Sequence, residues 1–542
     1  MYKETPRLTM EGRSVAQRRF ANRFFVLVLA IWIGAVAIFA GTTVNFRSWI
    51  SVLQFGLMVF FLFSFAIVFS KRVVSLFVKP YPLPKLDSLA RKPRVALLYT
   101  TMNDVVPDCV EAIRQTYPVD VYMLDDSSDP YKRATVDDLA RKHGFRILRR
   151  PERKGFKAGA INGWLRQFGA QYDYFVLLDA DSILPPDWVA EALKYAEHPE
   201  NRDLAIFQGL INIWNTDRPF PRALAATTLL GQDEWERRVS GYVGAVFCYG
   251  HNVMLRTKPV LEIGGFVEDY VSEDFATAVK LASAGHGSVF VPLHTWEAMP
   301  ENVRGFVKRQ TKWTRGSMEF WSFVPPARLP WWKKVFLYTT PMNHVAYITI
   351  MFAMVAAVFG RVSTPGAFFA FGQNLLIEPI AYIWSINLFR FIIVMSLITS
   401  VFTVAKLVQV RLGFWRYYRA RTLSKAIGAI MLPHEIRAML MYLVDPRRKF
   451  PVTPKDEPPM TMREILHVGR GTVAIVAVMA LGLTMWNPVG LWYNALWFLS
   501  FITAPFVLYY YCGPLTRPAT AAGEGPRDLL ADPRIRTSLD SL

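Results

Sequence analysis

Two uncharged apolar runs near the start of the chain set the strongest limit on its fold. Residues 24–44 and 50–70 each hold about twenty residues, the length that an α-helix needs to cross the hydrocarbon core of a bilayer. Runs of this kind return only towards the C-terminus, at 335–360, 380–406, 471–486 and 491–512. The spacing predicts six membrane-spanning helices, with a polar block of ordinary domain size between the second and the third.

The charge of the chain follows this division. Lys and Arg number 62 against 43 Asp and Glu, a net charge of +19, and many of the basic residues stand beside the ends of the apolar runs. Cytoplasmic loops of membrane proteins carry such an excess of basic residues. We therefore expect a multi-pass protein of the cell membrane, with the polar block and both termini in the cytoplasm. The bilayer accounts for most of the excess charge, so no nucleic-acid partner is expected. Three cysteines without metal-ligand spacing exclude structural zinc and a disulfide framework.

Composition divides the chain into eight segments. We predict a basic cytosolic N-terminus (1–23), transmembrane helices 1 and 2 (24–70), a cytosolic domain (92–320), an interfacial segment (321–334), transmembrane helices 3 and 4 (335–406), a cytosolic amphipathic segment (407–470), transmembrane helices 5 and 6 (471–512) and a mobile cytosolic tail (513–542). Trp, Tyr and basic residues in the interfacial and amphipathic segments are typical of headgroup depth.

The polar block alternates short apolar runs with helix-forming segments. Strands are predicted at 95–99, 119–124, 145–148 and 174–178, and helices at 108–115, 135–143 and 275–284. This alternation predicts an α/β domain with a Rossmann-type parallel or mixed sheet. Ligands of such sheets bind beyond the carboxyl ends of the strands, where this chain places acidic residues.

One acidic pair follows the predicted strand at 174–178. Asp179 and Asp181 are separated by a single residue, and two carboxylates so close favour a hard divalent cation bound through oxygen, Mg²⁺ or Mn²⁺. Asp-rich turns have the same composition, so the pair taken alone leaves a plain turn open.

A second acidic pair, Glu273 and Asp274, stands at the start of a predicted helix. A carboxylate there is placed to act as a general base, but Ser272 followed by an acidic first turn is also an ordinary helix cap. The segment 149–160 is basic and contains glycine, which suits a diphosphate. A solvated basic face is the alternative.

Six motifs occur in order within the polar block. They are Thr101-Met102-Asn103-Asp104, Asp125-Asp126-Ser127, Lys157-Ala158-Gly159-Ala160-Ile161, Asp179-Ala180-Asp181, Ser272-Glu273-Asp274, and Arg309-Gln310-Thr311-Lys312-Trp313. In this order they resemble the inverting family 2 glycosyltransferases of the cellulose synthase-like kind. The stretch 450–455 resembles the gating-loop segment of bacterial cellulose and curdlan synthases, and Gly250-His251-Asn252 resembles the osmoregulated-glucan glucosyltransferases.

The resemblance implies a GT-A-like fold and a role for each matched residue. The donor or its nucleotide would be bound by Thr101, Asn103, Asp104, Asp125, Asp126, Lys157, Asp179, Arg309 and Lys312, with Asp125 or Asp126 on the uracil of a UDP-sugar. Mg²⁺ or Mn²⁺ would be held by Asp179 and Asp181. Asp274, with Glu273 beside it, would take the proton of the acceptor hydroxyl. The acceptor sugar would lie against Trp313 and His251.

Three positions depart from the family pattern. Arg309 stands where Gln is usual, although an Arg is found there in the osmoregulated-glucan relatives. Lys312 replaces Arg, which keeps the charge but loses the bidentate fork. Ser272 replaces Thr.

Three functional hypotheses follow. The first is a processive synthase that extends a β-linked polysaccharide, a β-glucan made from UDP-glucose, and translocates it through its own helices. Its expected partners are further copies of the same chain or an accessory export protein. The second is a non-processive transferase that adds sugar to a lipid or oligosaccharide. The third, based on Arg390 within an apolar run, is a transporter or scaffold with an inactive nucleotide-binding domain.

Overall fold

A computed structural model describes residues 10–43, 49–359, 387–445, 457–486 and 495–514. The α-helices in these ranges are Met10–Thr43, Trp49–Phe77, Pro107–Ala112, Pro130–His143, Phe156–Phe168, Trp188–Ala196, Pro219–Gly231, Ser240–Val243, Thr257–Glu262, Glu273–Ser283, Val303–Met318, Phe320–Phe323, Trp331–Phe359, Asn387–Gln409, Phe414–Val444, Met462–Val468, Arg470–Trp486 and Ala495–Cys512. Short 3₁₀ turns lie at Gly169–Gln171 and Pro199–Asn201, and Gln232–Val239 is a π-helix.

The central domain is built on a seven-stranded sheet. Its strands are β1 (Val95–Thr101), β2 (Val119–Asp125), β3 (Arg146–Leu148), β4 (Tyr174–Leu178), β5 (Leu204–Ile213), β6 (Val253–Arg256) and β7 (Gly287–Glu297), and their order across the sheet is β3-β2-β1-β4-β6-β5-β7. Strands β1 to β4 run parallel, and β6 is antiparallel to both of its neighbours. The predicted α/β domain between long apolar helices is therefore confirmed, and its sheet is mixed.

The sheet separates two apolar layers. Along β1, Val95, Leu97 and Tyr99 pack into one layer, whereas Ala96 and Leu98 pack into the other. Successive side chains of a strand point to opposite faces, so a run that is apolar throughout is buried on both sides. The helices Pro130–His143 and Trp188–Ala196 cover the first layer, and Phe156–Phe168 and Glu273–Ser283 cover the second. This packing fixes the strand ends that carry the predicted site.

Helices long and apolar enough to cross a membrane lie on both sides of this domain. Among the described residues they are Arg13–Gly41, Phe55–Phe77 and Phe414–Val444, and the bent pair Met462–Val468 and Arg470–Gly482 makes a fourth if it is one span. Ile393–Gln409 and Phe498–Cys512 are shorter apolar helices. The chain is thus a membrane protein with three or four candidate spans, and the predicted number of six stays a prediction.

Several predicted features lie outside the described residues. They are the stretch 450–455, parts of the predicted runs at 380–406 and 491–512, and the tail beyond residue 514. The side chain of Arg390 is likewise not among those described, although its backbone belongs to the helix Asn387–Gln409.

The helix Phe414–Val444, predicted to lie along the inner leaflet, joins the domain to the C-terminal helices. Its buried residues Leu423, Ile427 and Ile430 pack in one cluster with Val307 of the domain and Leu508 of the last helix. The interfacial placement is still a prediction, because the same helix is also apolar enough to span.

Candidate active site

The predicted site residues gather at the carboxyl ends of three parallel strands. Thr101 at the end of β1 pairs with Asp125 at the end of β2, and Asp179 directly follows β4 on the other side of β1. The Thr100 hydroxyl donates to the Leu178 carbonyl oxygen at 3.0 Å and lies 3.2 Å from Asp179 Oδ1. Three motifs that are far apart in the sequence therefore share one edge of the sheet.

Asn103 connects the loops that follow β1 and β2. It has a positive φ of 63°, which Asn tolerates better than most residues, and its Oδ1 accepts hydrogen bonds from the backbone N–H groups of Ser128 and Asp129, each at 2.9 Å. Asp104 turns back on its own loop and accepts from the Thr101 hydroxyl and the Met102 N–H. These predicted donor-binding residues fix the shape of the strand-end loop.

Asp125 and Asp126, predicted to contact uracil, are engaged by arginines. Arg149 Nε donates to Asp125 Oδ2 at 2.7 Å, and the Asp125 side chain is fully buried. Arg150 donates two hydrogen bonds to Asp126, from Nε to Oδ1 at 2.8 Å and from Nη2 to Oδ2 at 2.6 Å. Two arginines of the basic segment 149–160, which is predicted to suit a diphosphate, thus form ion pairs with the carboxylates at the end of β2.

Asp179 is met by two cationic side chains. Lys157 Nζ donates to Asp179 Oδ1 and, at 2.8 Å, to the Gly250 carbonyl oxygen. Burial alone would lower the pKa of Lys157, but the Asp179 carboxylate outweighs it and raises that pKa. His251 Nδ1 lies 3.8 Å from Asp179 Oδ2. Three motifs, those of Lys157, of Asp179 and of Gly250-His251, therefore meet at the Asp179 carboxylate.

The geometry around His251 fixes its charge. Its Nδ1 lies 2.8 Å from the Tyr249 carbonyl oxygen and its Nε2 lies 2.6 Å from Glu297 Oε2. A carbonyl and a carboxylate only accept hydrogen bonds, so both ring nitrogens must donate, as they do in imidazolium. Burial opposes this charge, but Glu297 and Asp179 raise the pKa of His251 to about 9.

Asp274 lies against the glycine loop that carries His251. Gly250 has a φ of +74°, and a Cβ at that position would come within 2.9 Å of Asp274 Oδ2. Burial raises the pKa of Asp274, and burial together with the Asp274 charge raises the pKa of Glu273 to about 7. Lys157 and Lys312 act in the opposite direction on both. The expected base is thus a partly buried carboxylate among cations.

The capping interpretation of Ser272 is wrong. Its side chain accepts no hydrogen bond from the first turn of the helix Glu273–Ser283. The hydroxyl instead donates towards Gly316 O, at 3.0 Å, and Glu319 Oε2, at 2.8 Å.

The helix Val303–Met318 brings the last motif to the site. Trp313 is half-exposed, and the Arg309 guanidinium lies 4.7 Å from its ring centroid. Arg309 Nη1 is also 3.9 Å from Glu297 Oε1. Glu297 therefore stands between His251 and Arg309, and the Arg in place of the usual Gln has an acidic partner.

Asp181 is hydrogen-bonded to the backbone that follows β7. Its side chain is buried, and its Oδ2 accepts the Ala298 N–H at 3.2 Å. Within the described residues, no group of three or more His, Cys, Asp and Glu is arranged to hold a metal ion. Two oxygen-donor carboxylates still fit Mg²⁺ or Mn²⁺ in kind, provided that the remaining ligands come from diphosphate oxygens and water.

The structure thus brings Lys157, Asp179, His251, Glu273 and Asp274 together with Lys312 within electrostatic reach. Sequence reasoning missed two acidic residues, Glu297 and Glu319, that link this group to the Trp313 helix. Neither residue belongs to a recognisable sequence motif. Glu297 reaches the site because β7 pairs with β5, and Glu319 reaches it because it follows the Trp313 helix and contacts Ser272.

Comparison with known proteins shows the family of the chain. Residues 174–516, more than half of the chain, match the family model described as "Glycosyl transferase family group 2". Glucans biosynthesis glucosyltransferase H of Pectobacterium carotovorum is 26% identical over 468 residues, 77% of this chain and 54% of that protein. The protein of the same name from Nitrosomonas europaea is 28% identical over 42% of this chain and 29% of its own. The chain spans about half the length of these curated relatives, or less.

Among solved structures, a mannosyltransferase from Pyrobaculum calidifontis in complex with GDP-Man and Mn²⁺ is 19% identical, with a TM-score of 0.45 over 67% of this chain and 99% of that one. The family match, which covers Asp179, Asp181, Ser272-Glu273-Asp274 and the Trp313 helix, identifies the chain: it belongs to glycosyl transferase family group 2.

Proposed function

We propose that this chain is a processive inverting glycosyltransferase. It takes glucose from UDP-glucose, extends a β-linked glucan and moves that glucan across the membrane. The observation that carries the proposal is the placement of Asp274, a partly buried carboxylate beside the Gly250 loop and the Lys157–Asp179 pair. The similarity to glucans biosynthesis glucosyltransferases supports glucose as the sugar.

In the proposed reaction Asp274 accepts the proton of the acceptor hydroxyl. The acceptor oxygen then forms a bond to the anomeric carbon on the face opposite to UDP. The bond between that carbon and the diphosphate oxygen breaks, and its electron pair leaves with UDP, so the configuration inverts. A base that removes a proton in the transition state works best with a pKa near the operating pH, and the raised pKa of Asp274 moves it in that direction.

Cationic side chains suit the leaving group. Lys157, His251 and Lys312 surround the acidic centre, and fixed positive charge in a buried site stabilises charge that develops on a leaving diphosphate. Asp179 and Asp181 would hold Mg²⁺ or Mn²⁺, which when bound offsets the negative charge of UDP. The ion pairs of Asp125 and Asp126 with arginines would fix the β2 loop against which the uracil lies.

The acceptor chain would enter along the helix Val303–Met318. Trp313 is exposed on this helix and offers an aromatic face to a pyranose ring. The same helix packs through Val303 and Val307 against the membrane-associated helices Phe414–Val444 and Ala495–Cys512. This continuity supports a path from the acceptor site into the membrane helices.

Contacts at helix ends support a cytoplasmic catalytic domain. Arg13, Arg72 and Lys406 lie at the ends of three long helices and pair with Asp203, Glu234 and Asp233 of the domain. The basic helix ends and the domain are therefore on one side, which by the positive-inside rule is the cytoplasm.

Incubating membranes that contain the chain with a panel of UDP-sugars and divalent cations tests the proposal. We expect UDP release with UDP-glucose and a long β-linked product by linkage and size analysis. A single sugar added to a lipid would replace processive synthesis with the non-processive alternative. Absence of UDP release with every donor would remove the enzymatic function.

Asp274→Asn tests the proposed base. We expect UDP release to fall by about 100-fold or more, while UDP binding by calorimetry stays close to that of the wild type. The matched control is Asp269→Asn, which changes an exposed carboxylate in the preceding loop. Retained turnover in Asp274→Asn would exclude Asp274 as the base.

A further inference from the structure

The buried carboxylate of Glu319 joins the two elements that the proposed reaction must hold in register. Glu319 directly follows the helix Val303–Met318, which carries Trp313, and it is only 3% exposed. Its Oε1 accepts the Val271 N–H at 3.0 Å, and its Oε2 accepts the Ser272 N–H at 2.9 Å. The Ser272 hydroxyl adds a third contact, at 2.8 Å.

These contacts lie two residues before Asp274. Ser272 is the residue from which the helix Glu273–Ser283 starts, and its carbonyl accepts the Ala276 N–H at 3.0 Å. The hydrogen bonds of Glu319 to Val271 and Ser272, here called the clamp, therefore fix the position at which the first turn of that helix begins. Asp274 lies in this turn. On the other side, Trp313 lies six residues before Glu319, about 9 Å along a helix axis.

Both oxygens of Glu319 are needed as acceptors. The three donors come from two consecutive residues, and the hydroxyl proton of Ser272 is shared with Gly316 O of the same helix. A carboxylate with two acceptor oxygens satisfies this set, whereas an amide offers one oxygen and turns two N–H donors towards the others. Arg315, one turn earlier, adds a favourable charge.

We propose that Glu319 is a positioning residue that holds the Trp313 helix and the Asp274 turn at a fixed separation. This inference rests on the proposed function, because it assigns Asp274 to the base and Trp313 to the acceptor. Glu319 does not touch the reacting atoms. It sets how the acceptor hydroxyl, seated on Trp313, meets the carboxylate of Asp274. Most of the residues predicted to bind UDP stand at the strand ends of β1, β2 and β4, outside this contact, and Arg309 and Lys312 lie in the body of the Trp313 helix before it, so we expect the affinity for UDP to change little.

The kinetic test compares Glu319→Gln with wild type and with Glu197→Gln. Glu197 is also partly buried and hydrogen-bonded, to Arg91 and Tyr174, but it lies at the end of the helix Trp188–Ala196. We expect kcat for UDP release to fall about 10- to 100-fold in Glu319→Gln, the range that a misplaced reactant costs, while the KM for UDP-glucose and the affinity for UDP stay within twofold. Unchanged kcat, or a parallel loss of UDP affinity, would overturn the inference.

Variants of Ser272 keep the test decisive if Glu319→Gln does not fold. Ser272→Ala removes one donor and leaves the two backbone contacts, so we expect a smaller loss of kcat. Ser272→Thr keeps the hydroxyl and should retain the wild-type rate. Equal rates in Ser272→Ala and wild type would count against the clamp.

A distance measurement separates the inference from the proposed function. Spin labels on cysteines introduced at the exposed Lys280 and Lys308 report the separation of the two helices, and the natural cysteines are buried. We expect a narrow distance distribution in wild type and Ser272→Thr, and a broad one in Glu319→Gln. The same narrow distribution in Glu319→Gln would overturn the inference even in an active enzyme. A wild type without UDP release from any donor would overturn the proposed function.

Discussion

At the scale of single residues, the ion pairs of the candidate site join side chains that are far apart in the sequence. Asp125 and Asp126 are recognisable as a strand-end motif, yet their partners Arg149 and Arg150 are more than twenty residues away and meet them only because β3 pairs with β2. The charge of His251 depends in the same way on Glu297, which arrives with β7. A local sequence motif shows which residue types stand at the end of a strand. The ion-pair partners of those residues depend on which strands become neighbours in the sheet.

The coupled acidic pair predicts the pH dependence of the reaction. A base works only when deprotonated, and burial raises the pKa of Asp274 while Glu273 titrates near pH 7. Activity should therefore rise with pH over a range that lies above the usual pKa of an Asp carboxylate. Glu273→Gln removes a neighbouring negative charge, which lowers the pKa of Asp274 and moves the acidic limb of kcat/KM to lower pH. Glu262→Gln, in an exposed helix, is the control, and an unmoved limb in Glu273→Gln would contradict the coupling.

Trp313 offers a test of the acceptor site. Trp313→Ala should leave the affinity for UDP unchanged and shorten the product, because an aromatic contact to the acceptor is lost while the strand-end loops are intact. Trp321 is the matched control, since the two rings are 50% and 51% exposed and Trp321 stacks on Tyr338 instead. Gel filtration of radiolabelled product measures chain length. Equal shortening in Trp321→Ala would assign the effect to general loss of aromatic surface.

At the scale of elements, the four parallel strands at the start of the domain were predictable and the last three were not. Strands β1 to β4 are short apolar runs separated by helices or turns, which is the pattern of a parallel sheet. Strand β6 has four residues and runs antiparallel between β4 and β5. Its position follows from pairing across the sheet rather than from local pattern. The sheet is mixed for this reason, and the His251 loop owes its place beside Asp179 to β6.

Three helices meet at a buried polar cluster behind Trp313. Glu435 Oε2 lies 2.5 Å from the Thr314 hydroxyl and 2.8 Å from His344 Nδ1, and Glu435 is fully buried. Thr314→Val should destabilise the protein by about 1–3 kcal/mol, because a buried acceptor loses a donor. Thr349→Val is the control, since among the described residues Thr349 donates to Val345 O in its own helix. Equal shifts in the thermal unfolding of the two detergent-solubilised variants would show that the cluster adds nothing.

At the scale of the whole molecule, the domain is fixed to the long helices by ion pairs as well as by apolar packing. Arg72 Nε lies 2.7 Å from Glu234 Oε1, and Lys406 Nζ lies 2.5 Å from Asp233 Oδ2. Both acidic residues belong to the π-helix Gln232–Val239, which precedes the loop that carries His251. Some of the basic residues at the helix ends thus anchor the catalytic domain.

Removing the charge of Asp233 tests this anchoring. The Lys406 side chain is fully buried, and within the described part of the chain its other hydrogen-bond acceptors are the neutral oxygens of Gln409 and Ser75. Breaking one partner of a buried ion pair costs about 3–5 kcal/mol, so Asp233→Asn should lower the unfolding temperature of the solubilised protein markedly. Asp233→Asn combined with Lys406→Met should recover part of that loss, because no uncompensated charge is left.

The control for this prediction is an exposed pair. Asp138 and Arg141 lie 3.1 Å apart with side chains 72% and 78% exposed, and such surface pairs contribute about 1 kcal/mol or less. Asp138→Asn should therefore leave the unfolding temperature nearly unchanged. If Asp233→Asn behaves like Asp138→Asn, the Lys406–Asp233 pair contributes nothing to holding the catalytic domain on the long helices. If the double variant is no more stable than Asp233→Asn, the loss comes from the other partners of Asp233, of which Arg238 Nε at 2.8 Å is the nearest after Lys406.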